Sequence, residues 1–196
     1  TEIVQKVLGE HGLRLSLRAR RQAPKRAHCV QVFESDLAFC ARLLAEEGMS
    51  WFPAADDAAL LLVADEPDTF LDHGTTIPWR AEAGLEVGRA LHEARWSERI
   101  TVEQATLRDY DFRHPVLDLK GSAGEGALEW YEYPGGFTSP GEGAALASIR
   151  AGEHRAEARV LEGSATEPAI LAGGVLTLEH APEELPEARW LVLSVV

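Results

Sequence analysis

Asp109, Asp111 and His114 are the residues of this 196-residue sequence whose types and spacing come nearest to a reactive site. Two carboxylates and an imidazole this close could ligate a cation or act as an acid–base pair. On an extended strand Asp109 and Asp111 would share one face, about 7 Å apart. The wet face of a half-solvated antiparallel strand has the same spacing. No second His or carboxylate stands at helical or hairpin spacing to complete a ligand set. Catalytic, metal-binding and cofactor-binding residues are therefore all assigned as none. Gly121-Ser122-Ala123-Gly124-Glu125-Gly126 is glycine-rich but lacks the Lys-Ser/Thr of a phosphate loop, and it reads as a mobile connection. No Gly-x-Ser-x-Gly elbow presents a nucleophile. Cys29 and Cys40 lack the paired spacing of a zinc knuckle, and both are expected to be small buried hydrophobes, Cys29 on a strand and Cys40 on a helix. A single bridge between them is the alternative. Trp130, Tyr131 and Tyr133 lie on one expected strand, where one face either packs into a core or stays exposed as a platform for sugar or an apolar partner.

The elements that must position these residues follow from periodicity. Ile3, Val4, Val7 and Leu8 predict a helix over 2–11, closed by Gly12 as a left-handed cap. Residues 13–26 are basic and irregular, with Leu13, Leu15 and Leu17 alternating as in a short strand. His28-Cys29-Val30-Gln31-Val32-Phe33 has β-branched residues at period two and predicts a strand. Ser35 is a good N-cap and Asp36 suits the first turn of a helix whose stripe is Leu37, Cys40, Ala41 and Leu44, ending at Gly48. Met49–Phe52 and Leu60–Val63 predict a hairpin turning near Asp56-Asp57. Pro67, Gly74, Pro78 and Gly84 mark a loop-rich stretch around Ile77 and Trp79. Strands are expected over 87–97, 100–112 and 128–133, and Pro115 ends the second. Residues 141–158 predict a helix burying Leu146 and Ile149. Short strands near 158–164, 175–179 and 190–196 close the chain, with breaks at Gly173-Gly174 and Pro182/Pro186.

Composition narrows the class. Apolar residues at 45% and charged residues at 26% are ordinary for a globular fold. A net charge of −13 argues against a nucleic-acid partner. No apolar run approaches the roughly 18 residues that would span a bilayer, so stable membrane insertion is not expected. No signal peptide is visible at Thr1-Glu2-Ile3-Val4, and the absence of an initial Met suggests an excised piece of something longer. Charge is uneven: residues 1–28 hold seven basic and two acidic residues, and the remainder holds 12 basic and 30 acidic. The basic stretch reads as a solvated loop or as a strand edge guarded by Arg and Lys.

Four blocks in order resemble the VgrG family, the trimeric spike proteins of type VI secretion systems. The first is Cys29-Val30-Gln31, then Glu34-Ser35-Asp36-Leu37-Ala38-Phe39 and Arg42-Leu43-Leu44-Ala45-Glu46-Glu47-Gly48. The second is Leu107-Arg108-Asp109-Tyr110-Asp111-Phe112-Arg113-His114-Pro115, and the third Glu129-Trp130-Tyr131-Glu132-Tyr133-Pro134-Gly135. The last joins Gly173-Gly174 and Leu176-Thr177-Leu178-Glu179-His180 to Trp190-Leu191-Val192-Leu193-Ser194-Val195. Ala172-Gly173-Gly174 replaces the family's Pro-Gly, and Pro182-Glu183-Glu184-Leu185-Pro186 replaces its Asn-rich turn.

The resemblance implies part of a head module similar to the phage tail hub. The expected fold is α+β, mainly an antiparallel β-barrel with a strand-helix-hairpin subdomain. Residues 1–80 would form the α+β subdomain and 81–196 the barrel subdomain with one helix near 141–158. The implied function is structural and not enzymatic: a homotrimeric hub in the full-length protein that caps an Hcp-like tube hexamer and carries effector or adaptor proteins. It would assemble in the cytoplasm and be secreted or injected into a target cell, as a virulence factor. The isolated stretch is expected to be monomeric or weakly associated, because the family's needle lies outside it. The alternatives are the baseplate hub of a phage tail or extracellular contractile particle, and, from another class, a carbohydrate- or partner-binding β-domain.

Overall fold

The structure, a computed structural model, describes the chain except residues 27, 55–59, 67, 81–87 and 186–188. It is α+β, with three helices and eleven strands among the described residues. The strands form four separate sheets of three, three, two and three strands. Each three-stranded sheet combines one parallel and one antiparallel pairing, so the mainly antiparallel arrangement expected is joined by a parallel partner in each.

Two compact units emerge, one built from 1–95 with 162–196 and the other from 96–161. In the first, α1 (Glu2–Glu10) and α2 (Asp36–Glu46) pack with a sheet ordered β1 (Arg14–Leu17), β3 (Leu60–Ala64), β2 (Ser50–Pro53). Val4 and Leu8 on α1, Phe39, Cys40, Leu43 and Leu44 on α2, then Met49 and Val63, form a continuous core. Both helices end alike. After α1 the amides of Gly12 and Leu13 donate to the carbonyls of Gly9 and Leu8; after α2 those of Gly48 and Met49 donate to Ala45 and Leu44. These paired bonds are the Schellman motif, which needs the left-handed backbone that Gly12 and Gly48 supply. Each motif also brings the next apolar residue, Leu13 or Met49, back onto the core.

The same unit contains β4 (Leu71–Pro78), which pairs in parallel with β10 (Gly174–Glu179), itself antiparallel to β11 (Arg189–Leu191). Here the expected loop around Ile77 is a strand. Pro78 sits at its end and Ile77 is fully buried, so partnership with β10 overrides the local breakers. The sequential boundary at 80/81 falls after β4, and the chain beyond it returns to pair with β4. Asp56-Asp57, Pro67, Gly84 and Pro186 lie outside the described residues. The final strand is confined to Arg189–Leu191 and does not extend to residue 196.

β5 (Leu91–Glu98) and β9 (Arg159–Ala165) pair with each other, and through them the chain enters and leaves the second unit. That unit centres on β7 (Leu119–Gly124), β6 (Gln104–Asp109) and β8 (Glu129–Glu132), in that order, with α3 (Pro140–Ala156) packed on one face. The expected mobile loop over 117–126 is mostly β7. Its glycine has a packing role: a Cβ on Gly121 would lie 2.0 Å from the carbonyl carbon of Gly143 on α3. The buried stripe of α3 is accordingly Gly143, Ala147 and Ala151, with Leu146 at its margin and Ile149 only half-buried. Small residues at i, i+4 and i+8 let the helix approach the sheet closely, which the expectation of a Leu/Ile face did not anticipate.

One predicted strand does not form. Residues 28–33 belong to no sheet; Val30 and Val32 project into solvent and Phe33 adopts φ 52°. The segment is instead tied to α2 by side chains: Gln31 donates to Asp36 and Glu34 accepts from Arg42, while Cys29 packs on the helical core.

Candidate interaction surfaces

The sequence-derived acid–base candidates are not brought together as one site. β6 ends at Asp109, so Asp111 is in a turn and does not share a strand face with it. Oδ2 of Asp109 accepts the amides of Gly136 at 2.6 Å and Phe137 at 3.3 Å, tying β6 to the turn before α3. Asp111 accepts from the amide of Arg113 at 2.8 Å and pairs with Nδ1 of His114 at 2.7 Å. The His114 hydrogen bond, and then the Arg113 amide, hold the Asp111 carboxyl below the usual range. Both aspartates are therefore occupied in shaping turns. Among the described residues no group of three His, Cys, Asp or Glu side chains is arranged to hold an ion.

Cys40 is fully buried in the helical core, and burial pushes its thiol pKa up. Cys29 is half-buried against the same core but lies in the irregular segment, not on a strand. Both thiols are free.

What the sequence reading missed is a chain of alternating charges on the outer side of α2. Arg42 forks onto Glu34, with Nη2 at 2.5 Å from Oε1 and Nε at 3.2 Å from Oε2, and donates to Glu46 at 3.0 Å. Arg26 bridges Glu46 and Glu47, reaching the latter at 2.9 Å. Nη2 of Arg21 stands 3.2 Å from Oε2 of Glu47, an ionic contact without hydrogen-bond alignment, while its Nη1 donates to the Glu47 carbonyl at 3.1 Å. The amides of Arg20 and Arg21 continue the line to Asp65, at 3.0 and 2.7 Å. Part of the basic stretch is a strand edge, since β1 lies at the edge of its sheet and carries an exposed Arg14. Residues 20–26 differ from both expectations: they are irregular and stapled to α2 and to the turn after β3 through Arg20, Arg21 and Arg26. The signal was present in the sequence: surplus cations lie in 18–26, and Glu34, Glu46 and Glu47 lie in the motif after them. Only the fold could show that these charges meet.

Their electrostatics are consistent with this. The Arg42 hydrogen bond holds the Glu34 carboxyl below its ordinary value. Burial alone would raise that of Glu46, but Arg26 and Arg42 outweigh it and hold it low. Asp36 is lowered by Gln31 and then His11, whose Nε2 is 2.7 Å away.

The aromatic row is exposed. Trp130, Tyr131 and Tyr133 are 44%, 57% and 60% accessible, so the reading in which one face packs into a core gives way to the alternative. Trp130 leans on His154 of α3 with ring centroids 4.9 Å apart, and Glu132 on the same face pairs with Arg150 at 3.3 Å. Tyr131 alternates to the opposite side. β8 ends at Glu132, one residue short of the strand expected over 128–133, so Tyr133 lies beyond it. Tyr110 and Phe112, at the end of β6, are exposed in the same unit.

A mixed α+β frame with turn-forming carboxylates, an ion-pair clasp and exposed aromatic residues describes a structural and interaction module. Comparison with known proteins gives its family: residues 1–196 match the model of the phage tail baseplate hub (GPD) family, and the chain belongs to that family. It is 33% identical over 99% of its length to the type VI secretion system spike protein VgrG4b of Pseudomonas aeruginosa, and 32% identical over its whole length to VgrG5 of that organism. It is 26% identical over 99% of its length to the actin cross-linking toxin VgrG1 of Vibrio cholerae. The chain spans 26%, 26% and 19% of these relatives. Its fold is similar to a 43 kDa tail protein of prophage MuSo2 from Shewanella oneidensis, with TM-score 0.63 at 13% identity over 91% of this chain and 55% of that one. It is also similar to an E. coli type VI secretion component described as resembling T4 tail proteins gp27 and gp5, with TM-score 0.57 at 18% identity over 93% of this chain and 39% of that one. Among the described residues no helix is long and apolar enough to cross a membrane.

Proposed function

We propose that this chain is a hub segment of the puncturing spike of a type VI secretion apparatus, with a mechanical and not an enzymatic role. The observation that carries the reading is similarity over essentially the whole chain, at 33% and 32% identity, to two such spike proteins. In the longer protein the segment would form part of a homotrimer that caps an Hcp-like tube hexamer and carries effector or adaptor proteins outward. Its route would be cytoplasmic assembly followed by injection. The carboxylates of the former acid–base candidates shape turns, which suits a load-bearing element. In the assembled hub the separate sheets would complete a β-barrel. The division into an α+β subdomain over 1–80 and a barrel subdomain over 81–196 belongs to the same proposal, although β4 and β10 pair across it. Proteolysis within 81–87 that leaves two separately folded pieces supports the division, and joint unfolding of the pieces counts against it.

The test of function is genetic and biochemical. Deleting this segment in frame from the longer protein should abolish release of the tube protein from type VI-active cells. Undiminished release overturns the reading.

A second reading, a carbohydrate- or partner-binding β-domain, is favoured by the exposure of Trp130, Tyr131 and Tyr133. Saturable quenching of tryptophan fluorescence by a panel of sugars, lost in Trp130→Ala, would support it.

A further inference from the structure

We propose that residues 19–34 form an electrostatic strap on the helical core of the first unit, which opens as a separate piece when its ion pairs are screened and uncovers Cys29. The strap belongs to the first unit alone and stands apart from the spike reading.

It runs between two fixed points. At the end of β1 the amide of Arg18 donates to the Val63 carbonyl at 2.9 Å, and before α2 the hydroxyl of Ser35 accepts from the amide of Ala38 at 3.2 Å. Between these points, among the described residues, no backbone group of the strap bonds to another backbone group. None of its described residues is buried. The buried residues of the helical core all lie outside it, and Ala19 and Cys29 pack against them only half-buried.

What fastens the strap is charge. Asp65 accepts the amides of Arg20 and Arg21 at 3.0 and 2.7 Å, and Asp68 accepts from the Arg20 side chain at 2.6 Å. Arg21 and Arg26 converge on Glu47 at 3.2 and 2.9 Å, and Arg26 also reaches Glu46. At the far end Arg42 of α2 donates to the Glu34 carboxylate and to the Val30 carbonyl, and Gln31 donates to Asp36. The Val32 amide turns to the Glu34 carboxylate as well. Each of these contacts has a charged side chain on at least one side.

The strap therefore differs from its surroundings in what holds it. Local opening occurs where buried apolar contacts are few and the backbone lacks a ladder. Partly exposed ion pairs weaken as salt screens them, whereas ladder bonds and apolar packing carry no net charge to screen. The fastening side chains range from 9% exposed at Glu47 to 65% at Arg20, so solvent ions reach most of them. Opening of this kind leaves α1, α2, their sheet and Cys40 in place. It frees Cys29 and bares the carboxylates of Glu46, Glu47 and Asp65, so the strap is a salt-gated cover.

The probe is iodoacetamide, an uncharged thiol reagent, added to the whole chain at constant pH, with the labelled position read by mass spectrometry. Raising sodium chloride from about 0.02 M to about 0.5 M shortens the screening length from roughly 20 Å to roughly 4 Å and should speed labelling of Cys29 about tenfold. Cys40 should stay unlabelled, and amide exchange at Arg20 and Arg21 should quicken in parallel. Glu47→Gln removes the carboxylate shared by two arginines; it should label Cys29 about tenfold faster at low salt and lose most of the salt dependence. Arg26→Gln should act in the same direction to a smaller extent, and it decides the matter should Glu47→Gln fail to fold. A Cys29 rate that ignores salt overturns the strap. Equal labelling of Cys29 and Cys40 also overturns it, because the unit would then open only as a whole. So does a salt dependence in both variants as steep as in the native chain, since the ion pairs would then not be the fastening.

Discussion

At Gly48 and Gly121 the same side-chain absence answers two different physical demands. Gly48 has φ 68° and closes α2 through its amide. A β-branched residue there is strained in the backbone itself, so Gly48→Val should lower stability by about 1 kcal/mol or more, read as a reduced melting temperature. Gly121 needs no unusual dihedral; it needs space. Its missing Cβ is where the backbone of Gly143 passes, at 2.0 Å. Gly121→Ala forces helix from sheet and should destabilise by about 3 kcal/mol, read by denaturant titration. A loss below about 0.5 kcal/mol would mean that α3 can move aside without penalty.

α2 joins the helical core of the first unit to the ion-pair clasp. Its inner side holds Phe39, Cys40, Leu43 and Leu44, and its outer side holds the irregular 18–34 segment through Arg42, Glu46 and Glu47. Glu47 is the buried member, 9% exposed at its side chain. Glu47→Ala should cost about 2 kcal/mol by leaving Arg21 and Arg26 partly desolvated and unpaired; the arginines' access to water limits the loss. The pH dependence follows from Glu34, Glu46 and Asp36, all lowered in the folded chain. Groups with depressed folded values stabilise fully above the ordinary carboxylate pKa of about 4 and lose that contribution as pH falls through the folded values. Melting temperature should therefore drop on acidification below about pH 4. The deficit of Arg42→Met relative to the native chain should shrink over the same range. A deficit that persists unchanged in acid would mean that Arg42 acts through its cation–π contact with Phe39, 5.4 Å from the ring, and not through Glu34 and Glu46.

At the scale of the molecule, the chain holds two small compact units and carries a net charge of −13. Like charge keeps copies apart at low ionic strength. The proposed spike reading assigns the strongest trimer contacts to the needle, so these 196 residues should sediment as a monomer or a weak associate at micromolar concentration. A tight trimer at that concentration would place the trimer-forming contacts within this chain and remove that part of the proposal.

The helices, their caps and the hairpin after α2 were legible in the sequence because they rest on local physics: apolar period, Ser35 as a cap, Gly12 and Gly48 as left-handed stops. The ordered motifs likewise identified the family. Tertiary structure alone decided whether strand-competent residues found a partner. Ile77 lies among breakers but pairs because β10 reaches it from a hundred residues away, whereas Val30 and Val32 alternate cleanly and remain unpaired. It also decided that Gly121 marks a crossing and not a loop, and that arginines in 21–42 meet glutamates in 34–47. Hydrogen bonding between strands, close packing and ion pairing are all relations between distant positions. Periodicity along the chain specifies which residues can take part in them, and the fold determines which ones do.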